Sequence, residues 1–237
     1  MKDIIDELYT NHILSRDGLI KLLEDSSQDM YLARLARKTA DDIYGKDIYI
    51  RGLIEFTNYC KNDCYYCGIR RSNNKANRYR LSKEQIIDCA NKGYDLGFRT
   101  VVLQGGEEGF FTAKDMEYLI VKIKKCHPDM AITLSVGERD KDIYRLWREA
   151  GADRYLLRHE THNQAHYGQL HPKELSIESR IECLYMLKEL GYQVGAGFMV
   201  GSPYQTIEHI VEDLLFIKEF EPEMVGIGPF IAHKDTP

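Results

Sequence analysis

From residue 48 onward, apolar runs of strand length alternate six times with amphipathic helical stretches, and this alternation limits the fold more than any other feature. The predicted strands are Ile48–Phe56, Thr100–Gln104, Ala131–Val136, Arg154–Leu157, Gln193–Val200 and Met224–Phe230. Helical periodicity lies between them. Ile86, Ile87 and Ala90 share a face after Ser82, whose partner Gln85 completes a capping-box pattern. Met116, Leu119, Ile120 and Ile123 do the same after Thr112. Further helices are expected over 141–150, 177–190 (ended by Gly191) and 207–220, the last with Ile207, Ile210, Val211, Leu214 and Leu215 as its stripe. Short links predict parallel strands with right-handed crossovers. The pattern leaves a barrel and an open doubly wound sheet equally available. A closed barrel of eight strands needs two units beyond the sixth strand, so a partial barrel or a piece of a longer protein is expected.

Residues 1–46 read as a helical extension, with Ser15 capping a helix that runs to Leu23 and a second helix from Met30 to Tyr44 ended by Gly45; residues 47–237 form the α/β core. A formal net charge of −5 and the lack of a dense Lys/Arg block argue against nucleic-acid binding. No apolar run is long enough to cross a bilayer, and the acidic start Met1-Lys2-Asp3 lacks a signal-peptide core. A cytoplasmic location is expected.

In that setting close cysteines bind metal or do redox chemistry more often than they form disulfides. Six are present; Cys89, Cys126 and Cys183 stand alone in helical patterns and read as small buried hydrophobes. Cys60, Cys64 and Cys67 fall within eight residues, directly after a predicted strand. A 4Fe–4S cubane has four iron corners, normally one thiolate each. Three local thiolates leave one iron open to an outside chelator. A structural zinc site would want a fourth nearby ligand, which the spacing does not supply.

Three further groups stand at strand ends. Gln104-Gly105-Gly106-Glu107 closes the second strand, where two glycines allow close backbone approach and Glu107 can meet a cationic amine; alone it also reads as an ordinary turn. Arg158, His159 and Glu160 follow the fourth strand, where parallel barrels place ligand-binding groups. Arg158 can fork onto a carboxylate, and Glu160 can accept from hydroxyls or an ammonium group; a surface ion pair is the plainer reading. Arg180, early in the next helix, is either an exposed helical residue or a carboxylate clamp. His159, His162, His166 and His171 cluster: His159 and His162 are one residue short of the His-Glu-x-x-His spacing, His162 and His166 have i, i+4 spacing if helical and could hold a second metal, and the plainer reading is solvated or hydrogen-bonded histidines. The glycines at 195, 197, 201, 226 and 228 do not form a dinucleotide fingerprint and suit a cavity mouth; Met199 faces either that cavity or the core.

The Cys-x3-Cys-x2-Cys spacing, with Tyr66 before the last cysteine, resembles the radical S-adenosylmethionine (SAM) superfamily. The resemblance implies a TIM-type (β/α) barrel of about six units here, a 4Fe–4S cluster on Cys60, Cys64 and Cys67, and SAM chelated to the open iron and reductively cleaved to a 5′-deoxyadenosyl radical. It implies that Gly105, Gly106 and Glu107 sit near the methionine amine. Longer stretches are more specific: Ile54-Glu-Phe-Thr-Asn-Tyr-Cys60, Cys67-Gly-Ile-Arg-Arg71, Arg78-Tyr-Arg80, Val102 to Glu107, Ala152 to Thr161 and Met224 to Phe230 look like the FeFe-hydrogenase maturase family called HydE. That family shares its architecture with biotin synthase and with methylornithine synthase, the nearest competitor. By this resemblance Glu160 and Arg180 contact SAM, and Arg158 faces SAM or substrate. The implied task is assembly of the hydrogenase diiron site from a small cysteine-bound iron carbonyl cyanide precursor, with other maturases as partners and no nucleic acid or membrane. Members extend past the sixth strand, and some carry a second, peripheral cluster there. A zinc-bound or iron–sulfur interaction module is the non-enzymatic alternative.

Overall fold

A computed structural model describes residues 1–237. Three N-terminal helices, α1 (Lys2–Asn11), α2 (Arg16–Glu24) and α3 (Asp29–Tyr44), precede the alternating part. There follow β1 (Gly52–Thr57), α4 (Lys83–Asp95), β2 (Thr100–Gly105), α5 (Ala113–Cys126), β3 (Ala131–Ser135), α6 (Lys141–Glu149) and β4 (Arg154–Leu156). Next come α7 (Gln164–Leu170), α8 (Ile177–Glu189), β5 (Gln193–Val200), α9 (Ile207–Phe220) and β6 (Met224–Pro229).

The six strands pair in chain order, β1 through β6, and every pairing is parallel. This consecutive order is that of a (β/α) barrel wall, whereas a doubly wound sheet would reverse its order at a switch point. β1 and β6 are the edges of the sheet. All carboxyl ends therefore lie along one rim.

Local sequence sets the helix starts. Ser82 accepts from Gln85 N while the Gln85 side chain answers to Ser82 N, and Thr112 and Asp115 repeat the device on α5. Gly45 ends α3 in a left-handed conformation, φ 68°. The core is a layer of 28 buried residues between the sheet and its helices, with Trp147, Tyr144 and Tyr155 among its largest members. It lies outside the wall and leaves the inner face to other chemistry.

Several expectations need correction. β1 begins at Gly52, not Ile48, because its register with β2 starts at the Gly52–Val101 pair. Ile48, Tyr49 and Ile50 are 87%, 73% and 66% exposed, so strand-like composition there has no neighbour to pair with. The short helix α7 had no clear apolar period and was not anticipated. In α9 the residues buried on the sheet are Val211, Phe216 and Phe220, together with Asp213. Leu214 and Leu215 instead face the N-terminal helices, lining an apolar cleft with Leu19 and Leu22. Of the three solitary cysteines only Cys183 is buried; Cys89 and Cys126 are exposed, because they fall on the solvent sides of α4 and α5. No helix is long and apolar enough to cross a membrane.

Candidate functional site

The rim of strand ends encloses a cavity of about 540 Å³. Cys60, Tyr66, Cys67, Gly105, Gly106, Glu107, Arg158, Glu160 and Arg180 all line it. Residues 58 to 80 form a long loop after β1, which brings Cys60 and Cys67 to the cavity, with Cys64 between them in sequence but not among the lining residues. Ion pairs hold this loop, since it contributes almost nothing to the apolar core. Arg70 grips Asp63 with two hydrogen bonds of 2.8 Å, and Arg80 grips Glu108. The Arg80 guanidinium also lies over the Tyr59 ring at 3.7 Å.

Of the two glycines, Gly106, just after β2, serves this loop, while Gly105, the last residue of β2, packs against β1. A Cβ on Gly106 would lie 2.1 Å from the Tyr59 carbonyl oxygen, and one on Gly105 would lie 2.6 Å from Thr57 Cγ2. The sequence suggests close ligand approach for both; at Gly106 the cysteine loop itself makes the close approach, and at Gly105 Thr57 at the end of β1 does. Glu107 is then held rigidly. It accepts from Asn62 Nδ2 (3.1 Å) and from Glu138 N (3.0 Å), and pairs with Lys61 Nζ at 2.8 Å. Gly137, with φ 79°, makes room for it, because a Cβ there would sit 2.2 Å from the Glu107 carboxylate.

Glu138, unmarked in the sequence reading, binds Arg180 Nε at 2.6 Å and Ser179 Oγ at 2.9 Å. Arg180 is therefore not an exposed helical arginine: α8 aims it into the cavity, and its side chain is 13% exposed. The only sequence signal for Glu138 was its place directly after a strand end and a glycine, matching Gly106-Glu107. Gln104, part of the Gly-Gly-Glu motif, lines the cavity as well, and so do Glu55, Ser135 and Tyr79, which were not singled out. Inward-facing strand positions cannot be recognised before the barrel's curvature is known.

The end of β4 is arranged differently. Glu160 has φ 66°, a left-handed conformation that costs a non-glycine residue about 1–3 kcal/mol. β5 holds it there through Glu160 N to Gly197 O (3.0 Å) and Met199 N to Glu160 O (3.3 Å). Arg158 Nη2 lies 3.2 Å from Glu160 Oε2 but donates to Phe198 O at 2.7 Å. As a result Glu160 Oε2 accepts no hydrogen bond and Arg158 Nε donates none, although both atoms are buried. Arg158 forks onto no carboxylate within the chain. Burial holds the Glu160 carboxyl above its ordinary pKa, against the pull of Arg158 and Arg180.

His166 and His171 are held by hydrogen bonds within the chain. His166 Nδ1 meets Thr161 Oγ1 and its Nε2 meets Pro203 O, each at 3.0 Å. His171 sits between Tyr167 O and the Tyr66 hydroxyl, and burial pushes its pKa down to about 4. Its partner Tyr66 is thereby fixed in the cavity wall. His159 is buried against Asp213, on the outer side of the wall. Met199 is core, not cavity lining. Gly197 and Gly226 answer to strand packing, since a Cβ on Gly197 would lie 2.0 Å from Gly226 O.

The donor set fits an iron–sulfur cluster. All three thiols are free and half-buried. Burial, with the adjacent Cys67 and Cys60, pushes the Cys64 thiol up to about 12, and burial raises Cys67 as well. Without a cation such thiols stay protonated; iron makes them thiolates. No three His, Cys, Asp or Glu side chains converge as a single ion requires. Thiolates on separate irons need no such convergence. The unpartnered Glu160 and Arg158 atoms in the same cavity fit a polar ligand beside the cluster.

Residues 54–217 match the model of the radical SAM superfamily. The chain is 46% identical over 215 residues to the [FeFe] hydrogenase maturase subunit HydE of Thermotoga maritima, and 30% identical over 227 residues to 3-methylornithine synthase of Methanosarcina acetivorans. These alignments take in 91% and 94% of the chain but 61% and 64% of the relatives, so the chain spans less than two thirds of either. The crystal structure of methylornithine synthase (PylB) superposes with a TM-score of 0.90 at 28% identity, covering 99% of this chain and 69% of that one.

Proposed function

Since the chain belongs to the radical SAM superfamily, whose cofactors are a 4Fe–4S cluster and SAM, we propose that it is a catalytic part of a hydrogenase maturase of the HydE type. The observation that carries this reading is the single cavity shared by the cysteine loop and by the unpartnered polar atoms of Arg158 and Glu160. When bound, the cofactors supply hydrogen-atom abstraction through a 5′-deoxyadenosyl radical. Everything else falls to the chain. Cys60, Cys64 and Cys67 hold the cluster. Gly106 admits the cysteine loop, Gly105 packs on β1, and Glu107, its carboxylate already held by Lys61, Asn62 and the Glu138 amide, borders the place of the methionine ammonium. Glu160 accepts hydrogen bonds from SAM, Arg180 meets its carboxylate, and Tyr66 closes the wall. Arg158 presents its free Nε to SAM or to substrate. The loop over residues 58–80 keeps bulk water from the mouth, which strengthens each of these charged contacts.

In this reading the core at 47–237 is the barrel domain and 1–46 is an extension packed on α9. The substrate is a small, cysteine-bound iron carbonyl cyanide complex, other hydrogenase maturases are the partners, neither nucleic acid nor membrane is involved, and the setting is cytoplasmic. A second reading, methylornithine synthase, is favoured by the superposition at TM-score 0.90. Both substrates carry a carboxylate for Arg158, so charge does not separate them. The full-length protein, reconstituted anaerobically, is expected to restore activity to a hydrogenase matured without its own maturase. It should cleave SAM without converting lysine to methylornithine. Methylornithine formation with an inactive hydrogenase would overturn the maturase reading.

A further inference from the structure

Arg78 differs from the other part-buried arginines around the cavity. Arg70, Arg80, Arg139, Arg158 and Arg180 each lie beside a carboxylate: Asp63, Glu108, Glu107, Glu160 and Glu138 in turn. Arg78 forms no ion pair. Its guanidinium instead donates to four backbone carbonyls: Nη1 to Asn58 O (2.5 Å) and Ile69 O (2.9 Å), Nη2 to Arg70 O (2.7 Å) and Asn73 O (3.1 Å).

The placement of those carbonyls matters. Asn58 lies two residues before Cys60, and Ile69 and Arg70 lie just after Cys67. One planar fork therefore pins both ends of the segment that carries all three cysteines. Asn58 strengthens the clasp by donating to Asn77 O (2.7 Å) and accepting from Tyr79 N (2.8 Å). A lysine ammonium, a compact point donor, cannot span four carbonyls set apart in this way. A partly buried cation without a carboxylate is costly unless some other negative charge is near. Three thiolates and their cluster would be such a charge.

We propose that Arg78 is the positioning residue of the iron–sulfur cluster: it clips the cysteine segment into its binding shape, and its unpaired charge is balanced by the anionic cluster. The inference rests on the cluster reading above. Two separable consequences follow. Loss of the fork loosens the segment, so the cluster loads less completely. Loss of the charge disfavours the reduced cluster, which carries one more negative charge, so the midpoint potential falls.

The test compares wild type, Arg78→Gln and Arg78→Lys in the full-length protein after anaerobic reconstitution. Iron and sulfide are counted per chain, the midpoint is read by electron paramagnetic resonance during a redox titration, and folding is checked by thermal melting. Arg78→Gln is expected to load poorly. What cluster it holds should show at least a tenfold lower ratio of reduced to oxidised form at fixed potential, a downward shift of about 59 mV for one electron. Arg78→Lys should keep the wild-type midpoint yet still load less than wild type. Too little cluster to titrate, with a native melting curve, also meets the expectation for Arg78→Gln. Wild-type loading and midpoint in Arg78→Gln would overturn the proposal. So would a midpoint in Arg78→Lys displaced as far as in Arg78→Gln. If Arg78→Gln does not fold, Arg78→Lys decides alone: reduced loading at the wild-type midpoint supports the proposal, and full loading overturns it. Failure of wild type itself to take up iron and sulfide would instead sink the cluster reading.

Discussion

Two sides of one cavity wall solve the problem of a buried carboxylate in opposite ways. At the ends of β2 and β3, Glu107 and Glu138 are saturated by Lys61, Asn62, the Glu138 amide, Ser179 and Arg180. At the end of β4, Glu160 keeps an oxygen with no hydrogen bond, on a left-handed backbone, beside an arginine aimed elsewhere. The first pair spends its hydrogen-bonding capacity on fixing loops. The second has capacity and strain left over, the signature of a group waiting for a ligand. A carboxylate at a barrel rim is thus not one kind of residue, and its partners decide which kind it is.

Five experiments break or sharpen that contrast. The largest effect belongs to the loop that the saturated side supports. Replacing Cys60, Cys64 or Cys67 by Ala should remove most of the cluster iron and sulfide, and unchanged metal content in all three variants would sink the assignment. Next is the unsaturated side. A hydrogen bond to a charged group contributes about 1.5–3 kcal/mol, so Glu160→Ala should weaken SAM binding by about ten- to a hundredfold, measured by equilibrium binding to the reconstituted protein. The melting temperature should change little, since the lost oxygen accepted no hydrogen bond.

A pH series sharpens the point. Burial raises the Glu160 pKa, so the folded chain holds that proton more tightly than the unfolded chain does. The resulting stability is fully present below the ordinary carboxylate pKa and is lost as pH rises through the raised value. Denaturation curves for wild type and Glu160→Gln should therefore separate with rising pH across that window, the Gln variant becoming the more stable. Parallel curves would show that burial does not raise the Glu160 pKa and would remove this part of the contrast.

Glu107→Ala should behave in the opposite sense. It strands Lys61, Asn62 and the Glu138 amide, so a loss of about 1–3 kcal/mol in unfolding free energy is expected. A melting curve equal to that of wild type would erase the distinction between the two sides. The smallest effect falls outside the cavity altogether. Cys89 and Cys126 are exposed, so replacing both by Ser should change stability by less than about 0.5 kcal/mol and leave cluster loading intact.

Much of this molecule was legible in the sequence. Alternation of strand and helix periods depends on neighbours along the chain, and so do the capping boxes at Ser82 and Thr112 and the spacing of Cys60, Cys64 and Cys67. Local rules therefore determined the parallel α/β wall, the helix starts and the three-thiolate loop. The tertiary structure decided what depends on residues distant in sequence. Gly106 is small because Tyr59 approaches it, Gly137 because Glu107 rests on it, and Arg180 reaches the cavity through Glu138, which its weak strand-end signal alone did not single out. Ile48 to Ile50 have strand composition but no partner, while Glu160 is left short of a hydrogen bond because Phe198 O takes the donor beside it. Propensity and spacing act through bonds and turns along the chain, and could be read from it. Steric room, saturation of hydrogen bonds and burial of charge are properties of the space between elements, which exists only once the sheet has curled.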